Sequence, residues 1–169
     1  MRHAQGTIAV FTFKDGILAR AAHDLALRFE EFEVTLDGEA ISASFPLRAL
    51  RVTGPVEDGA VRADLYDADK RREVEHTMHA EVLHSAGQPS ARFSGRASAS
   101  PDGFAVSGQL ELAGRSAPLS FSVRRDADLY RAGFEIQPSR WGIAPYKALL
   151  GAIKLKDLVR VELALSEVT

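Results

Sequence analysis

Residues 104–123, FAVSGQLELAGRSAPLSFSV, decide the fold of this chain. Apolar and polar side chains alternate in two runs, and a period of two is typical of a strand with one buried and one exposed face. Between the runs, Gly114 permits an unusual backbone conformation, and Pro118 favours the start of a strand because it has no N–H for a ladder. The stretch therefore predicts an antiparallel hairpin.

The same alternation recurs over most of the chain and predicts about eight strands. They fall in residues 7–13, 25–36 with a bulge near Glu30 and Glu31, 41–45 with apolar residues continuing to Val52 beyond it, 91–97, the two runs of the hairpin, 130–137 and 154–165. Residues 17–23 are alanine-rich and predict a short helical turn, while 53–60 predict a loop. Residues 139–153 predict a loop with a short helix at 145–150.

The pattern changes once, in residues 67–84, DADKRREVEHTMHAEVLH. Val74, Met78 and Val82 recur every four positions, which indicates a helix with one apolar stripe. Asp67 or Asp69 is placed to cap its start, and Gly87 with Pro89 is expected to end it.

These elements predict an all-β fold: a single domain over 1–169 that forms an antiparallel β-barrel of about eight strands, with one inserted mid-chain α-helix and a short helix before the last strand. A sandwich of two sheets is the alternative. A closed sheet has an interior, so function is sought there.

Composition narrows the function further. Of the 169 residues 46% are hydrophobic, the net charge is -2, and cysteine is absent. The missing cysteines exclude disulfides, thiolate chemistry and zinc–sulfur sites. The charge does not favour nucleic acid or an anionic membrane as partner, and no run approaches the roughly 20 apolar residues of a transmembrane segment. The first twenty residues show no signal-peptide core, so a cytoplasmic location is expected unless an export signal has been removed.

Four ordered patterns carry a resemblance to a known family. They are AHDLALRF at 22–29, EVL at 81–83 leading into QPSARFSG at 88–95, VSGQLELAGRSAPLSFSV at 106–123, and SRWGIAPYKALLGAIKLKDLVRVELAL at 139–165. Together they make the chain similar to the YceI-like proteins, which are polyisoprenoid-binding, lipocalin-like barrels. The resemblance implies an eight-stranded barrel whose elongated apolar cavity holds an isoprenoid or similar lipid. The variant His23-Asp24-Leu25 resembles a subgroup without export signals, for which a ligand is less firmly implied.

Such a site needs inward rows of apolar side chains and no catalytic group or cofactor, because each methylene withdrawn from water contributes about 0.8 kcal/mol. Small residues at Gly108 and Ala43 favour open space, although the same rows could pack on each other and leave none. The residues expected to bind the ligand are Phe13, Leu25, Leu27, Phe29, Val34, Phe45, Phe93, Phe104, Val106, Leu110, Phe121, Phe134, Ile136, Trp141, Tyr146 and Leu150.

Several polar groups have two interpretations. His76 and His79 are three apart on the predicted helix, where a solvated face is favoured over a weak metal site without a specified third ligand. His23 and Asp24 either tie the chain at the barrel rim or meet a ligand headgroup, since no nucleophile accompanies them for catalysis.

The loop before the last strand has the same ambiguity. Trp141 and Tyr146 suit core packing as well as ligand contact. Arg140, Lys147, Lys154 and Lys156 suit an ordinary surface or an anionic headgroup.

The favoured function is thus non-catalytic carriage of an isoprenoid or fatty-acyl lipid. A solid-core interaction or stress-response module is the second hypothesis, and a metal-dependent enzyme using His76 and His79 is the third. The sequence leaves the oligomeric state open, and a homodimer is among the states that it permits.

Overall fold

A computed structural model describes residues 1–16 and 23–168, and nearly all of its regular structure is β-strand. The strands are β1 (Arg2–Asp15), β2 (Asp24–Phe29), β3 (Glu33–Asp37), β4 (Ala40–Pro46), β5 (Leu50–Glu57), β6 (Ala60–Val61), β7 (Ser90–Ser100), β8 (Gly103–Leu112), β9 (Arg115–Asp126), β10 (Leu129–Ile136), β11 (Lys147–Ala148) and β12 (Ile153–Val168). Helix α1 (Ala68–Thr77) continues as a π-helical turn (Met78–Val82), and 3-10 turns occupy Leu47–Ala49, Ala63–Leu65, Pro138–Trp141 and Leu149–Gly151.

Eight of these strands close into a ring in the order β1, β3, β4, β7, β8, β9, β10, β12, because β12 also pairs with β1. Every neighbouring pair is antiparallel. This confirms the predicted barrel and rules out the sandwich.

Strand β1 belongs to the barrel wall and also pairs with a branch of the sheet made of β2, β5 and β6. Its first residues pair with β3, whereas Ala9–Thr12 pair with β2, from which β5 and β6 extend. The chain leaves β2 at Phe29 and begins β3 at Glu33, so the predicted bulge at Glu30 and Glu31 is a complete break between two strands. The break lets one long strand serve both the ring and the branch.

The hairpin of β8 and β9 is confirmed, with one difference. Ala113 and Gly114 form its two-residue turn with φ of 52° and 75°, the conformation expected of a tight hairpin turn. Pro118 lies inside β9, opposite Gln109, and does not start the strand. In the described part of the chain β9 pairs with β10 only through Arg124–Asp126. Pro118, which has no N–H, therefore interrupts no backbone hydrogen bonds on the β10 side of the strand.

Other local predictions were wrong or cannot be compared. The loop expected at 53–60 belongs to β5 as far as Glu57, and the turn is made by Asp58 and Gly59. The short helix expected at 145–150 is replaced by β11 and the 3-10 turn Leu149–Gly151. The helical turn expected at 17–23 falls mostly on residues 17–22, which lie outside the described residues.

The mid-chain helix is confirmed, with α1 starting where Asp67 Oδ1 accepts a hydrogen bond from Lys70 N at 2.7 Å. Its stripe of Val74 and Met78 packs against Leu27, Leu50 and Val52 on the branch. The helical stretch ends before His84, whose φ is 47°, earlier than Gly87. Neither α1 nor any other helix of the described residues is long and apolar enough to cross a membrane.

Candidate ligand cavity

The barrel encloses a cavity of about 880 Å³, a size typical of small-molecule sites. The strands of the ring supply alternate residues to its wall, as β1 does with Ile8, Val10 and Thr12. The opposite walls therefore do not meet throughout, and the interior is not the solid core that the second hypothesis required.

Most of the residues predicted to bind a ligand do line this cavity. They are Leu25, Leu27, Phe29, Val34, Phe45, Phe93, Phe104, Val106, Leu110, Phe121, Phe134, Ile136 and Tyr146.

Three predicted residues do not line it. Phe13 does not line the cavity although Thr12 does, and the pairing of β1 with β12 is irregular between Thr12 and Lys14. The prediction took Phe13 as inward from TIAVFTF, a segment that is apolar on both faces. Trp141 is 1% exposed and packs with Leu110 and Ile143 in the core beside the cavity. Leu150 lies in the turn before β12 with its side chain fully exposed.

Sequence reasoning missed much of the wall, notably Ile8, Leu119, Val159, Val161 and Leu163. The alternation of β12 was visible, but it does not by itself say which phase faces inward. The helix stripe was also visible, yet only the fold shows that Val74 and Met78 reach the cavity.

Aromatic rings form one side of the interior. Phe121 stacks on Phe134 with ring centroids 4.3 Å apart and an interplanar angle of 16°, and Phe93 lies 6.2 Å from Phe121. A Cβ at Gly95 or Gly108 would come within 2.8 Å of Phe93 Cζ. The space left by Gly108 is thus taken by the Phe93 ring, contrary to expectation, whereas Ala43 does line the cavity.

Charged side chains mark the two ends of the cavity. At the end that contains Arg2 and Glu167, called the terminal end, these two residues form an ion pair at 2.7 Å. At the other end, called the helix end, the lining includes His23, Tyr66 and Lys154. Between the two ends the cavity is lined mainly by apolar side chains.

The side chains of His23 and Asp24 have different partners among the described residues. Asp24 Oδ1 accepts a hydrogen bond from Lys14 N at 2.7 Å and so ties β2 to the end of β1. His23 lines the cavity edge-on to Tyr66, with ring centroids 6.5 Å apart. Burial raises the pKa of the Tyr66 hydroxyl, which remains neutral at the rim.

His76 and His79, the two histidines of the helical stretch, also have different surroundings. His79 Nδ1 lies 3.1 Å from Ser85 Oγ at the end of the helical stretch, and His76 is exposed. Within residues 1–16 and 23–168, no three His, Asp or Glu side chains are grouped so as to hold a metal ion.

A closed antiparallel barrel around an apolar cavity defines the class of lipocalin-like binding barrels. A family model described as the YceI-like domain matches residues 5–166. The chain therefore belongs to the YceI-like family. A comparison of the sequence with curated proteins gives no match.

Solved structures share the fold at low sequence identity. BcnA of Burkholderia cenocepacia superposes with a TM-score of 0.64 at 12% identity, covering 96% of each chain. A polyisoprenoid-binding domain from Saccharophagus degradans gives 0.62 at 10% identity, covering 98% of this chain and 97% of that one. The YceI protein of Campylobacter jejuni gives 0.55 at 10% identity and 83% coverage of both. At these identities the likeness extends to the fold alone.

Proposed function

We propose that the protein binds a small molecule with a hydrophobic tail, an isoprenoid or fatty-acyl lipid, inside the barrel and carries it without catalysing a reaction. The observation that supports this is the 880 Å³ apolar cavity built from alternate residues of the ring. The Saccharophagus degradans domain with the same fold is described as polyisoprenoid-binding.

The chemistry of the wall suits a tail. Polar and charged lining groups lie toward the two ends or on α1, and the middle is made of residues such as Val106, Leu110 and Phe134. Each methylene transferred into this interior contributes about 0.8 kcal/mol, so a long tail binds without specific polar contacts.

Two neighbouring residues of β7 provide a matched test. Ala97 lines the cavity and Ser98, the next residue, is exposed on the outer face. Ala97→Phe places a ring in the cavity, while Ser98→Phe adds the same ring outside. A fluorescent prenyl or acyl probe is titrated into each purified variant, and bound lipid from the wild type is extracted and identified by mass spectrometry.

We expect Ala97→Phe to weaken probe binding by about tenfold or more, since several methylenes lose their place, and Ser98→Phe to leave it unchanged. Thermal melts establish that both variants fold. Failure of the folded wild type to bind any probe, or equal affinities of the two variants, would contradict the proposal.

A further inference from the structure

The turn between β11 and β12 exposes an apolar side chain at a strained position. Lys147 pairs with Lys154 and Ala148 with Ile153, leaving residues 149–152 as the connection. Leu150 in this turn has φ 54° and ψ 33°, and its side chain is fully exposed. The left-handed region is unfavourable for a residue with a Cβ. Because the side chain is fully exposed, little burial within the chain offsets the strain.

The charges around this turn are mainly positive. Lys147, Lys154 and Lys156 lie on the same hairpin, and Lys14 pairs opposite Leu155 on β1. Two carboxylates lie nearby: Asp15 pairs in register with Lys154 and accepts a hydrogen bond from Gly16 N, and Asp157 accepts one from Ser139 N. Residues 147–156, KALLGAIKLK, themselves carry three lysines and no acidic residue, although the net charge of the chain is -2.

The turn also adjoins the cavity. Tyr146, Ile153, Lys154 and Lys156 all line the cavity at its helix end. A surface that contacts Leu150 would therefore lie next to this end of the barrel.

We propose that this hairpin docks on an anionic phospholipid bilayer, with Leu150 inserted among the acyl chains and Lys147, Lys154 and Lys156 at the lipid headgroups. An apolar tip surrounded by lysines combines the two contributions of interfacial binding, buried apolar area and attraction to anionic lipid. The docked barrel turns the helix end of its cavity toward the source of hydrophobic molecules. This goes beyond the proposed binding function by stating where exchange occurs.

The first experiment is co-sedimentation with vesicles of phosphatidylcholine alone or mixed with phosphatidylglycerol. Leu150→Glu removes the apolar tip, and Val168→Glu is its control because Val168 is exposed at the far end of β12, roughly 50 Å along the strand. Lys147→Glu reverses one charge. Its control is Arg125→Glu, which makes the same change in β9 at the terminal end of the cavity, away from the turn.

We expect the wild type to bind only the mixed vesicles, and less tightly as salt is raised. Leu150→Glu and Lys147→Glu should each weaken binding by about tenfold, while the two controls bind as the wild type does. No binding by the wild type, or equal binding by all variants, would overturn the proposal.

The absence of cysteine from the sequence allows a second measurement. Leu150→Cys and Val168→Cys each carry one environment-sensitive fluorophore, and only the label at 150 should shift to the blue with mixed vesicles. Light scattering without vesicles tests a different occupant: concentration-dependent association abolished by Leu150→Glu would assign the turn to a second copy and overturn bilayer docking. Probe binding without vesicles tests the proposed function separately, so either proposal can fail alone.

Discussion

The indole Nε1 of Trp141 donates a 2.7 Å hydrogen bond to the backbone carbonyl oxygen of Leu110. The side chain is 1% exposed and fastens the 3-10 turn Pro138–Trp141 to β8. It does so beside the region where β9 and β10 are not paired, since their described pairing is limited to the hairpin end. The tryptophan expected to contact ligand is therefore a structural anchor of the barrel wall.

Replacing this anchor should destabilise the fold. Trp141→Phe removes the hydrogen bond and leaves unfilled volume, which together should lower the free energy of unfolding by about 2 kcal/mol. Tyr146→Phe, a change to a half-buried residue of the same segment, should alter it by less than about 0.5 kcal/mol. Urea denaturation measures both, and equal losses would count against the anchoring role.

Replacing Thr12, in contrast, should stabilise the fold. Its hydroxyl is buried and has no hydrogen-bond partner among residues 1–16 and 23–168. Thr12→Val keeps the shape and removes the unpaired oxygen, so we expect the free energy of unfolding to rise by about 1 kcal/mol. The corresponding change at Thr35, whose hydroxyl bonds to Ser42, should not stabilise. A drop in melting temperature for Thr12→Val would show that the hydroxyl has a partner in solution.

Helix α1 is held to the branch by a carboxylate. Glu75 Oε1 accepts a hydrogen bond from Val52 N at 2.9 Å and lies 3.5 Å from Arg51 Nε. Glu75→Ala leaves that N–H without its acceptor and should cost about 1–3 kcal/mol. Glu73→Ala, which removes an exposed neighbour that contacts Lys70 at 3.4 Å, should cost less than about 0.5 kcal/mol. Equal melting temperatures for the two variants would contradict this role of Glu75.

The link between Ser139 and Asp157 should make stability depend on pH. Burial acts to raise the pKa of Asp157, but hydrogen bonds from the Ser139 hydroxyl and backbone N–H, together with one from the Gln137 side chain, outweigh it and lower that pKa from its ordinary value of 3.8. A lowered pKa in the folded state stabilises the fold above the unfolded pKa, and this contribution is lost as the pH falls through the folded pKa. Ser139→Ala should therefore melt below the wild type at neutral pH. The difference should shrink below about pH 4, and a difference independent of pH would contradict the link.

Local sequence patterns predicted much of the fold. The alternation in residues 104–123 predicted the hairpin, and the four-residue spacing of Val74, Met78 and Val82 predicted the helix, because each depends on neighbours along the chain. The inward face was predicted wrongly where both faces of a strand are apolar, as around Phe13. The loop predicted at 53–60 was wrong because Pro55 is buried inside β5. Neither case can be decided from the residues of one strand.

By itself the sequence determined that about eight strands form and that each carries an apolar row, because period and composition are properties of the chain. Only the tertiary structure decided that the strands close into a barrel and not a sandwich, that the interior stays open, that Trp141 fastens the wall and that Leu150 points into solvent. Those outcomes depend on the distance between opposite walls and on contacts between residues far apart in sequence, which no local pattern encodes.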